Sequence, residues 1–80
     1  MEGSDLARIR KSVGLTQTDV AQRWGCSQSL VARLEGAPIS SVTIRSLQSY
    51  ITALGGACCL RVDIGDRAVE INLSRPTTRP

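Results

Sequence analysis

The sequence predicts a mainly α protein, in which four short helices precede a C-terminal β-hairpin. Up to residue 54, apolar residues recur at helical spacing and glycines separate the segments. After the glycine pair at 55–56, apolar and polar residues alternate, as they do in strands. This change of period divides the chain into a helical domain at 1–56, a hairpin at 57–74 and a flexible tail at 75–80.

The composition indicates one small domain with an aliphatic core. The chain has 80 residues, with no Phe, one Trp and one Tyr. A domain of this size buries a modest share of its surface and is marginally stable alone, which favours oligomerisation. The net charge of +3 permits a nucleic-acid partner, but it also fits an ordinary, slightly basic surface.

The first helix is expected to begin at Ser4 or Asp5, either of which can cap it. Gly14 ends it in the left-handed conformation that helix C-termini favour. Its apolar positions share one face: Leu6, Ile9 and Val13.

The stretch from Thr16 to Gly36 predicts two further helices joined by a three-residue turn. Thr16 is a good N-cap for the second helix, and Asp19 three residues later resembles a capping box. In the turn "GCS" at 25–27, the glycine ends the second helix, the cysteine turns inward and the serine caps the third. The expected buried positions of the two helices are Val20, Ala21, Trp24, Leu30, Val31 and Leu34.

The fourth helix is expected to start at Ser40 or Ser41, because Pro38 cannot continue the third helix. The glycine pair at 55–56 ends it. Tyr50 lies beside its apolar positions, which are Ile44, Leu47, Ile51 and Leu54.

Helix two, the turn and helix three form a helix-turn-helix, a motif whose second helix enters the major groove of DNA. The buried positions of helix three leave one face free for bases: Gln28, Ser29, Ala32 and Arg33. Glutamine can bond adenine N6 and N7, arginine can bond guanine O6 and N7, and alanine leaves room for a thymine methyl. We therefore expect these four residues to contact bases, with a merely solvated helix face as the alternative.

Phosphate contacts are expected where helices begin, because free backbone N–H groups point outward there. The candidates are Ser27, at the start of helix three, and Ser40, Ser41 and Arg45, at the start of helix four.

At these residues the chain resembles the Cro and phage-repressor type of helix-turn-helix protein, the Xre family, which has a lambda-repressor-like fold. The resemblance implies that Gln17 bonds a phosphate, that Gln28 contacts bases, and that Arg10 pairs with Glu35 in a structural bridge. A free surface cation is the alternative for Arg10. The matching pattern is Leu6, Ile9-Arg10, "GLTQ" at 14–17, Val20-Ala21, Gly25, Ser27, Val31 and "LEG" at 34–36.

The hairpin is predicted from its turn and its register together. Gly65-Asp66 fits a two-residue type II′ turn, which pairs residue 62 with 69 and residue 60 with 71. The same register sets Arg61 opposite Glu70, a favourable cross-strand pair. The apolar face that results consists of Leu60, Val62, Val69, Ile71 and Leu73.

This apolar face is the predicted dimer interface. An isolated two-stranded hairpin is marginal in water, and its open edges invite another strand. We predict that the hairpins of two chains associate, by edge pairing or by face packing. The alternative is that each hairpin covers only its own helices.

The hairpin also stands where the Xre family usually has a fifth helix, and this makes the chain similar to antitoxins of the HigA and HipB type. The resemblance implies an autoregulatory, sequence-specific repressor that binds a pseudo-palindromic operator in double-stranded DNA as a homodimer. It also implies a toxin protein as a further partner. A phage, plasmid or restriction-controller repressor without a toxin, and a protein-interaction module on the same fold, remain alternatives.

Enzymatic activity is not expected, because the chain has no His, no Gly-rich phosphate loop and no nucleophile with a base partner. Without His or a CxxC pair, no metal and no cofactor are expected. Cys26, Cys58 and Cys59 are interpreted as reduced, small core residues, although strand alternation turns Cys59 towards solvent. With no secretory signal and no apolar run of membrane length, a cytoplasmic protein without a membrane partner is expected.

Overall fold

The computed structural model describes residues 5–73 and confirms four helices followed by an antiparallel hairpin. Ser4 and the expected tail at 75–80 lie outside the described residues. The elements are α1 (Asp5–Ser12), α2 (Gln17–Trp24), α3 (Gln28–Gly36), a 3₁₀ turn (Ile39–Ser41), α4 (Ile44–Ala53), β1 (Cys59–Ile64) and β2 (Arg67–Asn72).

Local capping sets the geometry of the helix-turn-helix. The Thr16 hydroxyl accepts a hydrogen bond from the Asp19 amide at 3.1 Å, and the Asp19 carboxylate accepts one from the Thr16 amide at 2.9 Å. Gly25 ends α2 with φ of 86°, a left-handed conformation that suits glycine. Ser27 caps α3 by accepting from the Leu30 amide at 3.1 Å. The predicted capping box and turn are therefore confirmed.

The start of α4 differs from the prediction. Ser40 and Ser41 lie in the 3₁₀ turn, and Thr43 is the N-cap, accepting from the Ser46 amide at 3.1 Å. Val42 is extended, with φ of −85° and ψ of 131°, and it separates the two elements. Ser40, Ser41 and Thr43 could each cap the helix by residue type, and the extended backbone at Val42 selects Thr43.

The end of α3 agrees with the prediction, because Gly36 is its last helical residue. Ala37 follows in an extended conformation, with φ of −83° and ψ of 151°. A residue that precedes a proline favours this conformation, and Pro38 follows.

The core lies where α1, α2, α3 and α4 meet. Its buried apolar residues are Leu6, Val20, Ala21, Val31, Tyr50 and Ala53. The predicted apolar face of α1 is wrong beyond Leu6, because Ile9 and Val13 are exposed. Arg10 occupies the buried position one turn after Leu6, and its side chain has a partner there.

Burial in α3 and α4 matches the predicted faces in part. Val31 is fully buried, and Leu34, Leu47, Ile51 and Leu54 pack against the core. Leu30 is half-buried, and Ile44, expected inside, is exposed.

The hairpin has the predicted register. Val62 pairs with Val69 and Leu60 with Ile71, and Gly65 takes a φ of 62° in the turn. Arg61 faces Glu70 across the strands, but its ion pair is with Asp63, two residues along the same strand, at 3.1 Å. Residues two apart in a strand share a face, so this partner competes with the cross-strand one.

The apolar face of the hairpin is largely open to solvent. Leu60, Val69 and Ile71 are 41%, 53% and 46% exposed. The amide of Gln48 on α4 donates to the carbonyl oxygen of Leu73 and ties the base of the hairpin to the helices. Three of the five residues of this face are therefore left uncovered by the helices of the same chain, while Val62 and Leu73 are half-buried.

The three cysteines occupy different environments. Cys26 packs against the core, Cys58 is half-buried and Cys59 is exposed. The exposure of Cys59 agrees with strand alternation, because neighbouring strand residues face opposite sides of the sheet. The interpretation as a core residue holds only for Cys26.

Candidate nucleic-acid interface

The solvent-facing side of α3 carries the residues expected to contact bases. Gln28, Ser29 and Arg33 are exposed, and Ala32 is half-buried. Residues four apart lie on one side of a helix, so Gln28 lies above Ala32 and Ser29 above Arg33. The helix thus offers an amide, a hydroxyl and a guanidinium around one small apolar residue.

Gln17 at the start of α2 lies directly beside Gln28 at the start of α3. The Nε2 amide of Gln28 donates a hydrogen bond to Oε1 of Gln17 at 2.7 Å. Gln17 in turn donates from its own Nε2 to Oε1 of Glu35 at 3.0 Å. The structure therefore joins one residue expected at a phosphate and one expected at a base into a single hydrogen-bonded chain.

The series of hydrogen bonds from Gln28 through Gln17 ends at a buried ion pair. Glu35 is 5% exposed and Arg10 is 8% exposed. The Arg10 Nε donates to Glu35 Oε2 at 2.6 Å, and its Nη2 donates to Glu35 Oε1 at 3.2 Å. Arg10 Nη1 also donates to the carbonyl oxygen of Leu15 at 2.8 Å. This is the pair that the family resemblance implied, and a free surface cation at Arg10 is excluded.

Tyr50 completes the surroundings of the Glu35 carboxylate. Its hydroxyl donates to Glu35 Oε2 at 2.5 Å and lies 3.1 Å from the carbonyl oxygen of Leu6. The ring is fully buried and stands edge-on to Trp24, with centroids 6.5 Å apart and planes at 85°. The apolar periodicity of α4 predicts only that Tyr50 lies beside the apolar positions, although a buried tyrosine generally needs a partner for its hydroxyl.

The electrostatics favour an ionised pair at this site. Burial alone raises the pKa of the Glu35 carboxyl, but hydrogen bonds from Arg10, Tyr50 and Gln17 outweigh it and hold that pKa below its ordinary value. The hydrogen bond to Glu35 raises the pKa of Arg10. Burial, followed by the hydrogen bond to Glu35, raises the pKa of Tyr50, which stays a neutral donor.

The remaining phosphate candidates are spread over two helix starts. Ser27 is exposed at the N-terminus of α3, where its hydroxyl serves as the cap. Ser40 and Ser41 are exposed in the 3₁₀ turn, and the Ser41 hydroxyl donates to the Pro38 carbonyl at 2.9 Å. Because α4 begins after Thr43, the argument from free N–H groups applies to Thr43 and to Arg45 in the first turn, and not to the two serines.

Arg45 also lines a groove between α2 and α4, together with Arg23 and the half-buried Trp24. Within residues 5–73, no cluster of His, Cys, Asp and Glu side chains is arranged to hold a metal ion. None of the described helices is both long and apolar enough to cross a membrane.

Comparison with known proteins places these features in a family. A helix-turn-helix domain model matches residues 3–59. A Mycobacterium tuberculosis protein assigned as antitoxin HigA3 is 40% identical over 67 residues, which cover 82% of this chain. One assigned as antitoxin HigA2 in the same organism is 36% identical over 66 residues, again 82% of this chain. The chain spans 62% of the first of these proteins and 65% of the second.

Two solved structures are similar over almost their whole length. One shows a HigA antitoxin that bends DNA through a unique dimerisation; it has 38% identity and a TM-score of 0.77, covering 89% of this chain and 95% of that one. The other shows DNA-bound antitoxin HigA3, with 34% identity and a TM-score of 0.78, covering 99% of this chain and 100% of that one. Since the family model spans more than half of the sequence and both structures match beyond the helices, the chain belongs to the Xre-like helix-turn-helix family, in the branch of the HigA antitoxins.

Proposed function

We propose that this protein is a sequence-specific DNA-binding repressor that acts as a homodimer and is the antitoxin of a type II toxin-antitoxin pair. The observation that carries the proposal is the exposed polar face of α3, with Gln28, Ser29 and Arg33 outward and Gln17 bonded to Gln28. The similarity of the whole chain to a DNA-bound HigA3 structure supports it. The proposed activity is binding alone, without a catalytic step, in the cytoplasm.

In this proposal the helical domain at 1–56 contacts DNA. Arg33 bonds guanine O6 and N7, Gln28 bonds adenine, and Ala32 lies against a thymine methyl. Gln17 uses one N–H on Glu35 and keeps the other for a phosphate. Further phosphate contacts come from the N-terminus of α3 at Ser27 and from Arg45 in the first turn of α4. The exposed Ser40 and Ser41 contact phosphate through their side chains and not through a helix N-terminus.

The hairpin at 57–74 supplies the dimer interface. Its apolar face packs against the same face of a second chain, or the edge strands of the two hairpins pair. Leu60, Val69 and Ile71 of this face are exposed, and Val62 and Leu73 are half-buried. Burying this face removes apolar surface from water, which favours association. Two recognition helices related by a two-fold axis then bind half-sites about one DNA turn apart, so the operator is a pseudo-palindrome.

Repression follows from occupancy, because a dimer bound at a promoter excludes polymerase. The upstream DNA of the protein's own gene is the expected target, which makes the repressor autoregulatory. A toxin protein encoded beside it is the expected second partner.

The test is fluorescence anisotropy with the DNA upstream of the gene, against scrambled DNA of equal length at fixed salt. We expect tight, salt-sensitive binding that is selective for the upstream DNA. Arg33→Ala should weaken binding to the upstream DNA more than it weakens binding to the scrambled DNA. Equally weak binding to both DNAs would contradict an autoregulatory role and favour a protein-interaction module on this fold.

A further inference from the structure

We propose that Glu35 is a positioning residue for base recognition: its carboxylate fixes the direction in which the amides of Gln17 and Gln28 face, and thereby fixes what Gln28 presents to a base. This inference rests on the proposed DNA-binding function. It assigns a role in specificity to an ion pair whose position in the core suggests only stability.

The chain of hydrogen bonds has one consistent direction. An ionised carboxylate only accepts hydrogen bonds, so Gln17 must turn its Nε2 towards Glu35 Oε1, 3.0 Å away. This turns Oε1 of Gln17 towards Gln28. Gln28 must then present its own Nε2 to that oxygen, at 2.7 Å. If either side-chain amide rotated by half a turn, exchanging its Oε1 and Nε2, two acceptor oxygens or two N–H donors would face each other.

The fixed direction determines the free atoms of Gln28. One N–H is used on Gln17, which leaves the second N–H and the oxygen Oε1 available. Adenine presents an acceptor at N7 and a donor at N6, the complement of this pair. An exposed glutamine without the constraint would sample both amide directions and many rotamers, and binding would have to order them. The network orders Gln28 before DNA arrives.

The carboxylate is itself held firmly enough to act as a reference. Glu35 Oε2 accepts from Arg10 Nε at 2.6 Å and from the Tyr50 hydroxyl at 2.5 Å. Because Arg10 also bonds Oε1, both oxygens are occupied and the carboxylate plane cannot rotate freely. At 5% exposure, water does not compete for these contacts.

The test replaces the charged pair by a neutral pair of similar size, Arg10→Met with Glu35→Gln. Removing both charges avoids leaving one buried and unpaired. The new amide can offer either an oxygen or an N–H to Gln17, so the direction is no longer imposed. The matched control is Asp5→Asn with Arg8→Met, the same change of chemistry in an exposed ion pair on α1 with N···O of 2.6 Å.

The readout is base preference at each operator position, obtained by selecting bound sequences from a randomised operator library with the full chain. The position contacted by Gln28 is the one whose preference disappears in Gln28→Ala. In the wild type and the control we expect adenine to be favoured there by at least about fivefold. In the double variant this preference should fall to within about twofold, while the guanine preference due to Arg33 persists and shows that the fold and the groove contact are intact. Retention of the adenine preference would overturn the inference.

A second readout needs no DNA. Side-chain amide resonances of Gln17 and Gln28 should be dispersed and protected from exchange in the wild type and control, and averaged in the double variant. Unchanged resonances in the double variant would overturn the inference even if DNA binding were established. If the wild type showed this protection but no preference for any base, the DNA-binding function would fail and the role in specificity would fail with it. If the double variant does not fold, Gln17→Met removes the hydrogen bonds that link Glu35 to Gln28 and changes no charged residue. Loss of the adenine preference is again expected.

Discussion

The hydroxyl of Tyr50 lies 2.5 Å from Oε2 of Glu35, and this contact joins α4 to the end of α3 inside the core. The same hydroxyl is 3.1 Å from the Leu6 carbonyl, and Arg10 reaches the same carboxylate from α1. Three helices therefore converge on one buried negative charge. In a domain with few large apolar side chains, the geometry of the fold depends on this polar centre as well as on aliphatic packing.

Removing the carboxylate should destabilise the protein severely. Glu35→Ala leaves Arg10 buried without its partner, and we expect a loss of about 3–5 kcal/mol in the free energy of unfolding. Urea denaturation followed by circular dichroism measures it. The comparison is Asp5→Ala, which breaks the exposed ion pair with Arg8 and should change stability little. Similar effects for the two variants would show that burial of the Arg10–Glu35 pair has no energetic consequence.

Removing only the hydroxyl of Tyr50 should have a smaller effect. Tyr50→Phe keeps the edge-on ring contact with Trp24 but loses a hydrogen bond to a charged group, which corresponds to about 1.5–3 kcal/mol. Tyr50→Leu also loses the ring contact and should be less stable still. A Tyr50→Phe protein as stable as the wild type would mean that water replaces the hydroxyl.

Acid should weaken the fold through Glu35. Its pKa is lower in the folded chain than the ordinary 4.5, so its contribution is present above that pH and is lost as the pH falls through the folded value. Asp19 acts in the same direction, because hydrogen bonds from the Thr16 backbone and side chain lower its pKa. Urea midpoints between about pH 7 and pH 3 should fall less steeply in the Arg10→Met, Glu35→Gln protein than in the wild type. If the urea midpoints of the two proteins fell in parallel with pH, a lowered pKa of Glu35 in the folded chain would be contradicted.

The assignment of Thr43 as the cap of α4 can be tested by replacing two hydroxyl residues that lie three positions apart. Thr43→Ala removes the acceptor for the Ser46 amide and should cost about 1 kcal/mol of stability. Ser40→Ala lies outside α4, in the 3₁₀ turn, and should have a smaller effect. The reverse order would restore the sequence-based prediction of the helix start.

Two adjacent hairpin positions distinguish the proposed dimer interface from the opposite face. Val69→Lys places a charge on the apolar face, whereas Ala68→Lys places the same charge on the other face, opposite Asp63. Since Val69 is already 53% exposed in the single chain, its substitution should leave the helices folded. In sedimentation at micromolar concentration we expect a monomer for Val69→Lys and a dimer for Ala68→Lys. A dimer in both would place the interface elsewhere.

Features that depend on neighbouring residues were predictable from the sequence. The Thr16–Asp19 capping box and the end of α2 at Gly25 follow from local chemistry, and the hairpin register follows from matching two strands about Gly65. The start of α4 was not predictable in this way. Ser40, Ser41 and Thr43 all satisfy the same capping rule, and the extended backbone at Val42 decides between them.

Features that depend on distant partners were missed or only implied. A charged residue such as Arg10 reads as a surface residue until Glu35, 25 positions away, is known to lie beside it. Its burial displaces Ile9 and Val13 from the core face that apolar periodicity assigned to them. The contact of Gln17 with Gln28, 11 positions away, likewise arises from the angle between α2 and α3, which local chemistry sets only indirectly.

The edge-on contact between Trp24 and Tyr50 gives the molecule an optical reporter at its centre. Trp24 is its single tryptophan and Tyr50 its single tyrosine, and their ring centroids lie 6.5 Å apart. Light absorbed by the tyrosine passes efficiently to a tryptophan at this distance, so the folded chain should emit almost entirely from Trp24. Separation of α2 from α4 would restore tyrosine emission. Opening of the contact between these two helices could therefore be followed by intrinsic fluorescence, without any label.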